Sequence, residues 1–338
     1  MQSNLRGANV LVTGGGGFLG RHLIPLLMAA GANVTCIVRQ PAKVQMEAAV
    51  HILRGDCLDA NSMDHAIKGQ DIIIHMAAML FGNSWQDYMR TNSIASQNLA
   101  RLNNQNARRV ILVSSLAAAG PCDQLPGKRE SEIPAPVSAY GWSKLMSEQI
   151  LSKAYQEKLV IIRPPIIYGS GDRGLLPLFK SCSSGLGITP GLRKFPVSAI
   201  HALDAARAIV LAASAPDAHG IYHIGDGHNY TMDEICRAMG KAAGRTNTRI
   251  LSVPLPLMAL SAAFSSCGAT LYNRIRQTFG RRPSRAPSWN LDKYREARQS
   301  GWLACTERIR KELGFESEMN LEQGMAETYT GYKKAGWL

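Results

Sequence analysis

Residues 9–20 read Asn-Val-Leu-Val-Thr-Gly-Gly-Gly-Gly-Phe-Leu-Gly, and this stretch decides the fold of the chain. It opens with a short apolar run of the kind that forms a buried strand. The glycines then follow the spacing Gly14-x-x-Gly17-x-x-Gly20, and residues 21–30 continue as an apolar helical pattern. Glycines let backbone amides approach a pyrophosphate, which lies at the positive end of the helix. The stretch predicts the phosphate site of a dinucleotide-binding βαβ unit; a glycine-rich turn without a ligand is the alternative.

The composition is that of a globular α/β protein. The 338 residues are 46% hydrophobic, with 31 glycines and 16 prolines, and this length predicts one large domain with an annex, or two domains. The net charge is +13, but aromatic residues do not alternate with basic ones as in a nucleic-acid platform. We therefore expect an anionic cofactor and a solvated basic surface rather than a nucleic-acid partner. The basic residues cluster only at Arg274, Arg276, Arg281, Arg282 and Arg285.

The cysteines give no sign of disulfides or of a metal site. The seven of them show no Cys-x-x-Cys pair and no His/Cys cluster at ligand spacing, so we interpret them as small apolar residues in a reducing compartment and expect no metal. The first strand begins about eight residues after Met1, which leaves no room for a signal peptide. We expect a cytoplasmic protein.

Strands and helices alternate through residue 172, which predicts a Rossmann domain with a doubly wound parallel sheet over residues 1–172. Beyond it the pattern loosens, and residues 173–338 are expected to form mainly a smaller, discontinuous, substrate-binding lobe over the strand ends. Residues 200–226 are expected to return to the main sheet. The predicted strands are 10–12, 33–39, 52–55, 71–75, 110–113, 160–162, 196–200 and 220–224. The predicted helices are 21–30, 60–68, 88–101, 140–155, 175–183, 203–213 and 232–243.

The end of the second strand bears on the choice of cofactor. Arg39 lies 19 residues after Gly20, at the position that faces the adenosine ribose. An acidic residue there would accept from a 2′-hydroxyl, whereas a guanidinium offers donors to a 2′-phosphate. Together with Lys43 just beyond it, Arg39 favours NADP over NAD; a solvated arginine at a strand end is the alternative.

The next two strand ends are also expected to line the cofactor. Asp56 is predicted to accept from the adenine amino group, with the amide of Cys57 pairing with the ring, whereas Asp59 is interpreted as a helix N-cap. The small residues of Met76-Ala77-Ala78 let the backbone pass beneath the cofactor. We interpret His75, just before them, as a packing residue rather than a catalytic one.

Tyr140 and Lys144 carry the predicted chemistry. They lie four residues apart on a predicted helix and share one face. A free phenol has a pKa near ~10, and a lysine ammonium one turn away lowers it towards the working range. Ser115, at the end of the fifth strand, is placed to hold the reacting oxygen. The three predict reversible hydride transfer, in which Tyr140 protonates a carbonyl oxygen while Lys144 also holds the nicotinamide ribose.

Two further segments carry hypotheses. Asn92 lies inside the predicted helix 88–101, where an asparagine costs helix propensity and distorts the helix locally.

Residues 253–272 are apolar and long enough to span a bilayer, but Pro254, Pro256 and several polar residues weaken that interpretation. We favour a helix of the substrate lobe, with membrane association through residues 253–285 as the less favoured alternative.

At these residues the chain resembles the extended short-chain dehydrogenases/reductases, the NAD-dependent epimerase/dehydratase group. The matching motifs span nearly the whole chain: Thr13 to Gly20, Gly55-Asp56, His75 to Ala78, Val113 to Ser115, Tyr140 to Lys144, Arg163 to Gly169, Leu203-Asp204 and Arg310 to Phe315. The resemblance implies a kinked helix and a proton-relay water at Asn92, and a homodimer through helices 88–101 and 140–155. It also implies cofactor contacts at Gly14, Gly17, Phe18, Leu19, Gly20, Met76, Ala77, Ala78, Val113, Ser114, Tyr140, Lys144, Pro164, Ile166 and Ile167.

The resemblance also separates branches of the family. Sugar-nucleotide dehydratases carry an Asp-Glu pair directly after the catalytic Ser/Thr, where this chain has Leu116-Ala117. Sugar-nucleotide epimerases usually carry an Asn where this chain has Ile166 and Ile167. Arg39 and the apolar lobe instead resemble the reductase branch, which includes dihydroflavonol-reductase-like and 3β-hydroxysteroid-dehydrogenase-like enzymes.

We therefore predict an NADP(H)-dependent oxidoreductase that interconverts a carbonyl and a secondary alcohol on an apolar or lipid-like small molecule. A nucleotide-sugar epimerase with tightly bound NAD is the alternative. A non-catalytic NADP-binding regulator or scaffold is less favoured, because such proteins commonly lose the Tyr or the Lys.

Overall fold

The computed structural model describes residues 5–43, 46, 48–82, 84–102, 107–280, 284 and 286–338. Arg281, Arg282 and Arg285 lie outside the described residues, as does the side chain of Lys43. The strands are β1 Asn9–Thr13, β2 Asn33–Val38, β3 His51–Arg54, β4 Ile72–His75, β5 Arg109–Val113, β6 Leu159–Arg163, β7 Ile166–Tyr168, β8 Leu186–Pro190, β9 Pro196–His201, β10 Gly220–His223, β11 Asn229–Thr231 and β12 Arg249–Val253. The α-helices are α1 Phe18–Ala29, α2 Ala60–Ile67, α3 Trp85–Tyr88, α4 Ile94–Leu102, α5 Leu116–Ala119, α6 Ala139–Tyr155, α7 Leu176–Ser183, α8 Ala202–Ser214, α9 Met232–Ala242, α10 Leu255–Thr278, α11 Leu291–Ala297, α12 Glu307–Leu313 and α13 Leu321–Lys334.

Seven parallel strands form the main sheet, in the order β10-β6-β5-β4-β1-β2-β3. Alternate residues of a strand enter opposite cores: Val10 and Val12 pack into the apolar cluster on one face, and Leu11 into the cluster on the other. Strands β4, β5 and β6 are therefore buried along their whole length. The predicted doubly wound α/β fold is confirmed.

The main sheet also takes up parts of the C-terminal half. Strand β10 pairs in parallel with β6, with Gly220 opposite Val160, so residues 220–223 do return to the sheet. Helix α12 brings Ile309, Leu313 and the following Phe315 into the same core as β1. Residues 309–315 thus pack with the Rossmann domain, although the sequence analysis places them in the segment that mainly forms the lobe.

The smaller lobe has its own core and two small sheets. Strands β11, β9 and β7 form one sheet, and β12 pairs with β8 in parallel. Helices α7, α9 and α13 pack around an apolar cluster that contains Phe179, Met239 and Tyr332. The lobe is tied to the loop after β5, because Lys128 N donates to the Leu303 carbonyl at 2.9 Å and Leu303 N donates to the Cys122 carbonyl at 2.8 Å.

The predicted helix 88–101 is divided into three pieces. Helix α3 ends at Tyr88, a π-helical turn follows over Met89–Ser93, and α4 begins at Ile94. The π turn contains Asn92, the residue whose low helix propensity predicts a distortion. Asn92 lies buried there, and its side chain reaches two neighbouring elements, as described below.

Buried His75 links the first strand to this π-helical turn. Its Nδ1 lies 2.8 Å from Thr13 Oγ1. That hydroxyl oxygen accepts from the backbone N–H groups of Met76 and Ala77, so its own hydrogen is available to Nδ1. Its Nε2 lies 3.4 Å from Ser96 Oγ, and that hydroxyl donates to the Asn92 carbonyl. This network assigns a neutral imidazole with the hydrogen on Nε2. Burial, followed by the charge of Lys144, lowers the pKa of His75 to about 3.

The His75 contacts predict a loss of stability in acid. An unfolded histidine takes up a proton below a pKa of 6.5, whereas the folded protein keeps His75 neutral down to about pH 3. The free energy of unfolding therefore falls as the pH falls through this window, by up to about 1.4 kcal/mol per pH unit from this residue. Denaturant unfolding between pH 7 and pH 4 measures the slope, and His75→Asn is expected to reduce it while exposed His51→Asn leaves it unchanged. A His75→Asn protein with the wild-type slope would contradict this assignment.

Candidate functional site

The glycine turn between β1 and α1 forms a cradle that side chains would fill. Gly14 has φ of +77°, and a Cβ there would lie 2.8 Å from the backbone nitrogen of Ala77. A Cβ at Gly20 would lie 2.2 Å from the Gly15 carbonyl oxygen. Gly17 is the N-cap of α1, where no described side chain caps the helix. The first-turn N–H groups of α1 are therefore directed to the cradle, which fits a pyrophosphate.

The side chains predicted for the adenosine end lie at the ends of β2 and β3. Arg39 follows β2 and is exposed, and no described residue forms a hydrogen bond or an ion pair with its guanidinium. Asp56 Oδ1 accepts from Leu58 N at 3.1 Å, and the Cys57 carbonyl accepts from Asn98 Nδ2 at 2.9 Å. Asp59 caps α2 by accepting from Ser62 N at 2.9 Å, as predicted.

At the nicotinamide side, the Val113 carbonyl and the Ser114 hydroxyl, directly at the end of β5, both form hydrogen bonds within the protein. The Val113 carbonyl accepts from Lys144 Nζ at 2.6 Å. The Ser114 hydroxyl donates to buried Glu148, which also pairs with Arg163 at 2.6 Å. The Ser114 side chain thus belongs to a buried ion-pair network, and a cofactor contact at Ser114 stays a prediction.

Residues 164–167 join the two lobes next to these strand ends. The Pro164 carbonyl accepts from Leu116 N at 2.8 Å. Half-buried Ile166 packs on the core of the smaller lobe, whereas Ile167 packs on the core of the main sheet. Their backbone therefore lies at the boundary between the two lobes, beside the ends of β5 and β6.

The three predicted catalytic side chains lie together at the end of β5. Ser115 caps α5 by accepting from Ala117 N at 3.1 Å, and its hydroxyl is one of the groups that act to lower the pKa of Tyr140. Lys144 lies one turn along α6 from Tyr140 and is buried. Burial lowers the pKa of Lys144 to about 8, against the opposing effect of the Glu148 carboxylate. The geometry therefore brings one hydroxyl, one phenol and one amine to a single point of the sheet edge.

The cation beside the Tyr140 phenol is a different lysine from the one predicted. Burial raises the pKa of Tyr140, and the two opposing effects are those of the Lys293 charge and the Ser115 hydroxyl. Lys293 Nζ lies 4.7 Å from the centre of the Tyr140 ring. The Lys144 ammonium donates to the Val113 carbonyl at 2.6 Å and is not among these effects on Tyr140. Tyr140 is therefore a neutral phenol at pH 7, and a pKa-lowering role for Lys144 stays a prediction.

Lys293 reaches Tyr140 because α11 docks on the first turn of α6. The Asp292 carboxylate accepts from the backbone N–H groups of Ala139, at 2.7 Å, and Tyr140, at 3.2 Å. Glu296 accepts from the Ser138 hydroxyl at 2.6 Å and pairs with Lys293 at 2.9 Å. Lys293 is not apparent as a site residue from the sequence, because the local signal is the helix cap at Asn290, and nothing there indicates a partner in α6.

Asn92 joins the π-helical turn to α6 and to Met79 through its side chain. Its Nδ2 donates to Ser143 Oγ at 2.8 Å and to the Met79 carbonyl at 3.3 Å, and its Oδ1 accepts from Met79 N at 2.7 Å. Its own carbonyl accepts from the hydroxyls of Ser96 and Ser147. All of these groups are used within the protein, so Asn92 fixes the π-helical turn against α6. The predicted kink is present as the π-helical turn, and the relay water at Asn92 stays a prediction.

The surroundings of the phenol are apolar. Tyr140 packs in a cluster with Tyr88 and Ala117, against Met79 and Trp302. The rings of Tyr88 and Tyr140 lie 6.1 Å apart. Leu116 and Ala117, directly after Ser115, are buried and provide no carboxylate. The site can transfer a proton at one phenol beside a fixed cation, and its wall suits an apolar substrate.

Comparison with known proteins identifies the family and the fold. The family model described as "NAD dependent epimerase/dehydratase family" matches residues 10–225, a segment that contains the glycine turn, Ser115, Tyr140 and Lys144. Among solved structures, MoeE5 in complex with UDP-glucuronic acid and NAD has a TM-score of 0.75 and 22% identity, covering 97% of this chain and 100% of that one. At this identity the likeness shows the fold.

Two curated relatives match more closely in sequence. The chain is 28% identical to a ceramide reductase of Caulobacter vibrioides over 342 residues, which cover 100% of this chain and 98% of that protein. It is 30% identical to a decarboxylating sterol-4-alpha-carboxylate 3-dehydrogenase of Dictyostelium discoideum over 265 residues, which cover 74% of this chain and 81% of that protein. The chain belongs to the NAD-dependent epimerase/dehydratase family, as an NAD(P)-dependent oxidoreductase of the reductase-like branch of the extended short-chain dehydrogenases/reductases.

Proposed function

We propose that this protein is an NADPH-dependent reductase that converts the carbonyl of an apolar, lipid-like molecule into a secondary alcohol. The observation that carries the proposal is the set of groups at Tyr140: a protonated phenol, the Ser115 hydroxyl that acts to lower its pKa, the Lys293 ammonium 4.7 Å from the ring centre, and apolar side chains packed around the ring. Two relatives with named lipid substrates, a ceramide reductase and a sterol-carboxylate dehydrogenase, support the substrate class.

Each residue at the site has a separate role in the proposed reduction. The reduced nicotinamide, when bound, supplies the hydride that adds to the carbonyl carbon. Tyr140 gives its phenolic proton to the carbonyl oxygen, which Ser115 holds by a hydrogen bond. The phenolate left on Tyr140 is stabilised by the Lys293 ammonium. Lys144, which extends from α6 to the Val113 carbonyl, would hold the nicotinamide ribose, and a solvent proton then restores the phenol.

The protonated state of Tyr140 at neutral pH is the state that reduction needs. A phenol whose pKa is raised by burial keeps its proton at neutral pH and is ready to donate it. Oxidation of an alcohol needs the phenolate instead, so its rate is expected to increase as the pH rises. At neutral pH, buried Tyr140 carries the proton that reduction uses. This protonation state supports a reductase more than a dehydrogenase.

The preference for NADP is part of the proposal. Exposed Arg39 follows the end of β2, next to the strand that leads into the glycine turn. A guanidinium can bind a 2′-phosphate through charge-assisted hydrogen bonds, whereas it offers no acceptor for a ribose hydroxyl donor. The Lys43 side chain, outside the described residues, is predicted to assist it.

The alternative is a nucleotide-sugar epimerase, as for several solved proteins of this fold. Its substrate carries a diphosphate and a polar sugar, which would need polar partners near Tyr140. The side chains packed around the Tyr140 ring, Met79, Tyr88, Ala117 and Trp302, are instead mostly apolar. A thermal-shift titration with UDP-glucose, beside NADPH and NADH, separates the two candidates, since a ligand that binds the native state raises its melting temperature.

Removal of the Arg39 guanidinium tests the cofactor proposal. Arg39→Ala is expected to raise the Kd for NADPH about 10-fold to 100-fold, because a charge-assisted contact is worth about 1.5–3 kcal/mol. The Kd for NADH, which has no 2′-phosphate, is expected to change little. Calorimetric titration of both cofactors measures the effect, with exposed Arg237→Ala as the matched control. Equal weakening of both cofactors by Arg39→Ala would show that the guanidinium does not select NADP.

Removal of the Tyr140 hydroxyl tests the reaction. Tyr140→Phe keeps the ring and is expected to lower ketone reduction by about 100-fold or more, since a positioned acid contributes about 10²–10⁴-fold. NADPH is expected to raise the melting temperature of this variant as in the wild type. Tyr155→Phe, at the other end of α6, is the matched control and should keep its activity. Wild-type turnover by Tyr140→Phe would overturn the mechanism.

Removal of the Lys293 charge tests whether this lysine lowers the pKa of Tyr140. Lys293→Met is expected to raise the pKa of Tyr140, and so to slow reduction about tenfold and shift the pH profile of alcohol oxidation upwards. Lys293→Arg keeps the charge and should restore most of the wild-type profile. Arg298→Met, next to α11, should leave the profile unchanged. A slower Lys293→Met enzyme with an unshifted profile would mean that Lys293 only supports the structure.

A further inference from the structure

Helix α10 turns its large apolar side chains to solvent. Leu257, Leu260, Phe264, Leu271 and Ile275, here called the apolar stripe, are each between 49% and 71% exposed. Their spacings of three, four and seven residues place them on one face of the helix. By length and composition this is the one helix among the described residues that could cross a membrane, and 6% of its most apolar window is buried.

The opposite face of α10 is small or polar, and it is the face that contacts the protein. Ala262 and Asn273 are buried there. Ser265 Oγ donates to the Trp289 carbonyl at 2.7 Å, and Ser266 Oγ accepts from Leu291 N at 3.0 Å. Surface helices normally bury the apolar face and expose the polar one. The reversed arrangement leaves a contiguous apolar surface, which marks an interaction site.

The charge around α10 selects the partner. From residue 250 to residue 291, a stretch that contains α10, the sequence has no Asp or Glu but five Arg residues. Arg274 and Arg276 lie in the last turns of α10 itself, with Arg274 exposed. A second copy of the chain would bring the same positive charge, on a protein of net charge +13. Anionic lipid headgroups have the opposite charge, and their acyl region accepts the apolar stripe.

We propose that α10 lies in the plane of an anionic membrane surface, with the apolar stripe in the acyl boundary and its arginines at the headgroups. The helix lies on the membrane rather than crossing it, because its serine face is hydrogen-bonded to residues 289–291, which lead directly into α11. The surface would place the site beside lipid-borne molecules. The proposal is independent of the proposed reaction, because membrane binding needs neither cofactor nor substrate.

Vesicle flotation of the full-length protein tests this surface. We expect binding to vesicles of phosphatidylglycerol mixed with phosphatidylcholine, weaker binding to phosphatidylcholine alone, and release by high salt or an alkaline wash. The triple variant Leu260→Ser, Phe264→Ser and Ile275→Ser should lower the partition coefficient at least about tenfold, because it removes three large apolar contacts. The matched control is Leu125→Ser, Ile133→Ser and Leu192→Ser, which removes three exposed apolar side chains elsewhere.

Several results would overturn the proposal. Wild-type protein that stays with the unbound fraction has no such surface, and an equal loss of binding in the control triple variant would move the surface away from α10. Resistance to the alkaline wash would mean that α10 crosses the bilayer. Sedimentation velocity tests whether a second copy of the chain covers the apolar stripe instead. A wild-type dimer that becomes a monomer in the stripe variant would assign the stripe to a dimer interface. Release of the wild-type protein by high salt needs no variant, so it tests the role of the positive charge even if the stripe variant does not fold.

Discussion

The docking of α11 on the first turn of α6 is the contact on which the site depends. The Asp292 carboxylate accepts the N–H of Tyr140, 152 residues earlier in the sequence, and the neighbouring Lys293 ammonium lies against the Tyr140 ring. One short helix therefore supplies both a cap for the catalytic helix and a charge for its phenol. Since residues 289–291 are also hydrogen-bonded to α10, the same contact links the phenol to the exposed apolar stripe.

The features that sequence predicts well are local ones. The glycine turn, the Asp59 cap and the four-residue spacing of Tyr140 and Lys144 are each set by neighbouring residues, and the structure places them as expected. The distortion at Asn92 was also predictable, because an asparagine inside a helix has a local cost. The doubly wound sheet follows from the alternation of apolar strands with helices.

The features that sequence does not predict depend on contacts between distant segments. Lys293 is one of 38 Lys or Arg residues, and only the folded chain brings it to Tyr140. The Ser114 hydroxyl is directed inwards because Glu148 and Arg163 form a buried pair beside it. For α10, the apolar spacing is visible in the sequence, but the side that faces the protein is decided by the serine contacts to residues 289–291. In each case a tertiary partner overrides the local pattern.

The central claim is that Tyr140 serves hydride transfer to an apolar carbonyl. The most direct measurement incubates the protein with NADPH deuterated at the transferred position and a long-chain 3-oxo compound, with UDP-glucose in a parallel reaction, and follows the products by mass spectrometry. The account predicts an alcohol with one deuterium on the former carbonyl carbon, and unchanged UDP-glucose. Epimerised UDP-glucose together with an unlabelled 3-oxo compound would contradict the account and assign the site to sugar-nucleotide chemistry.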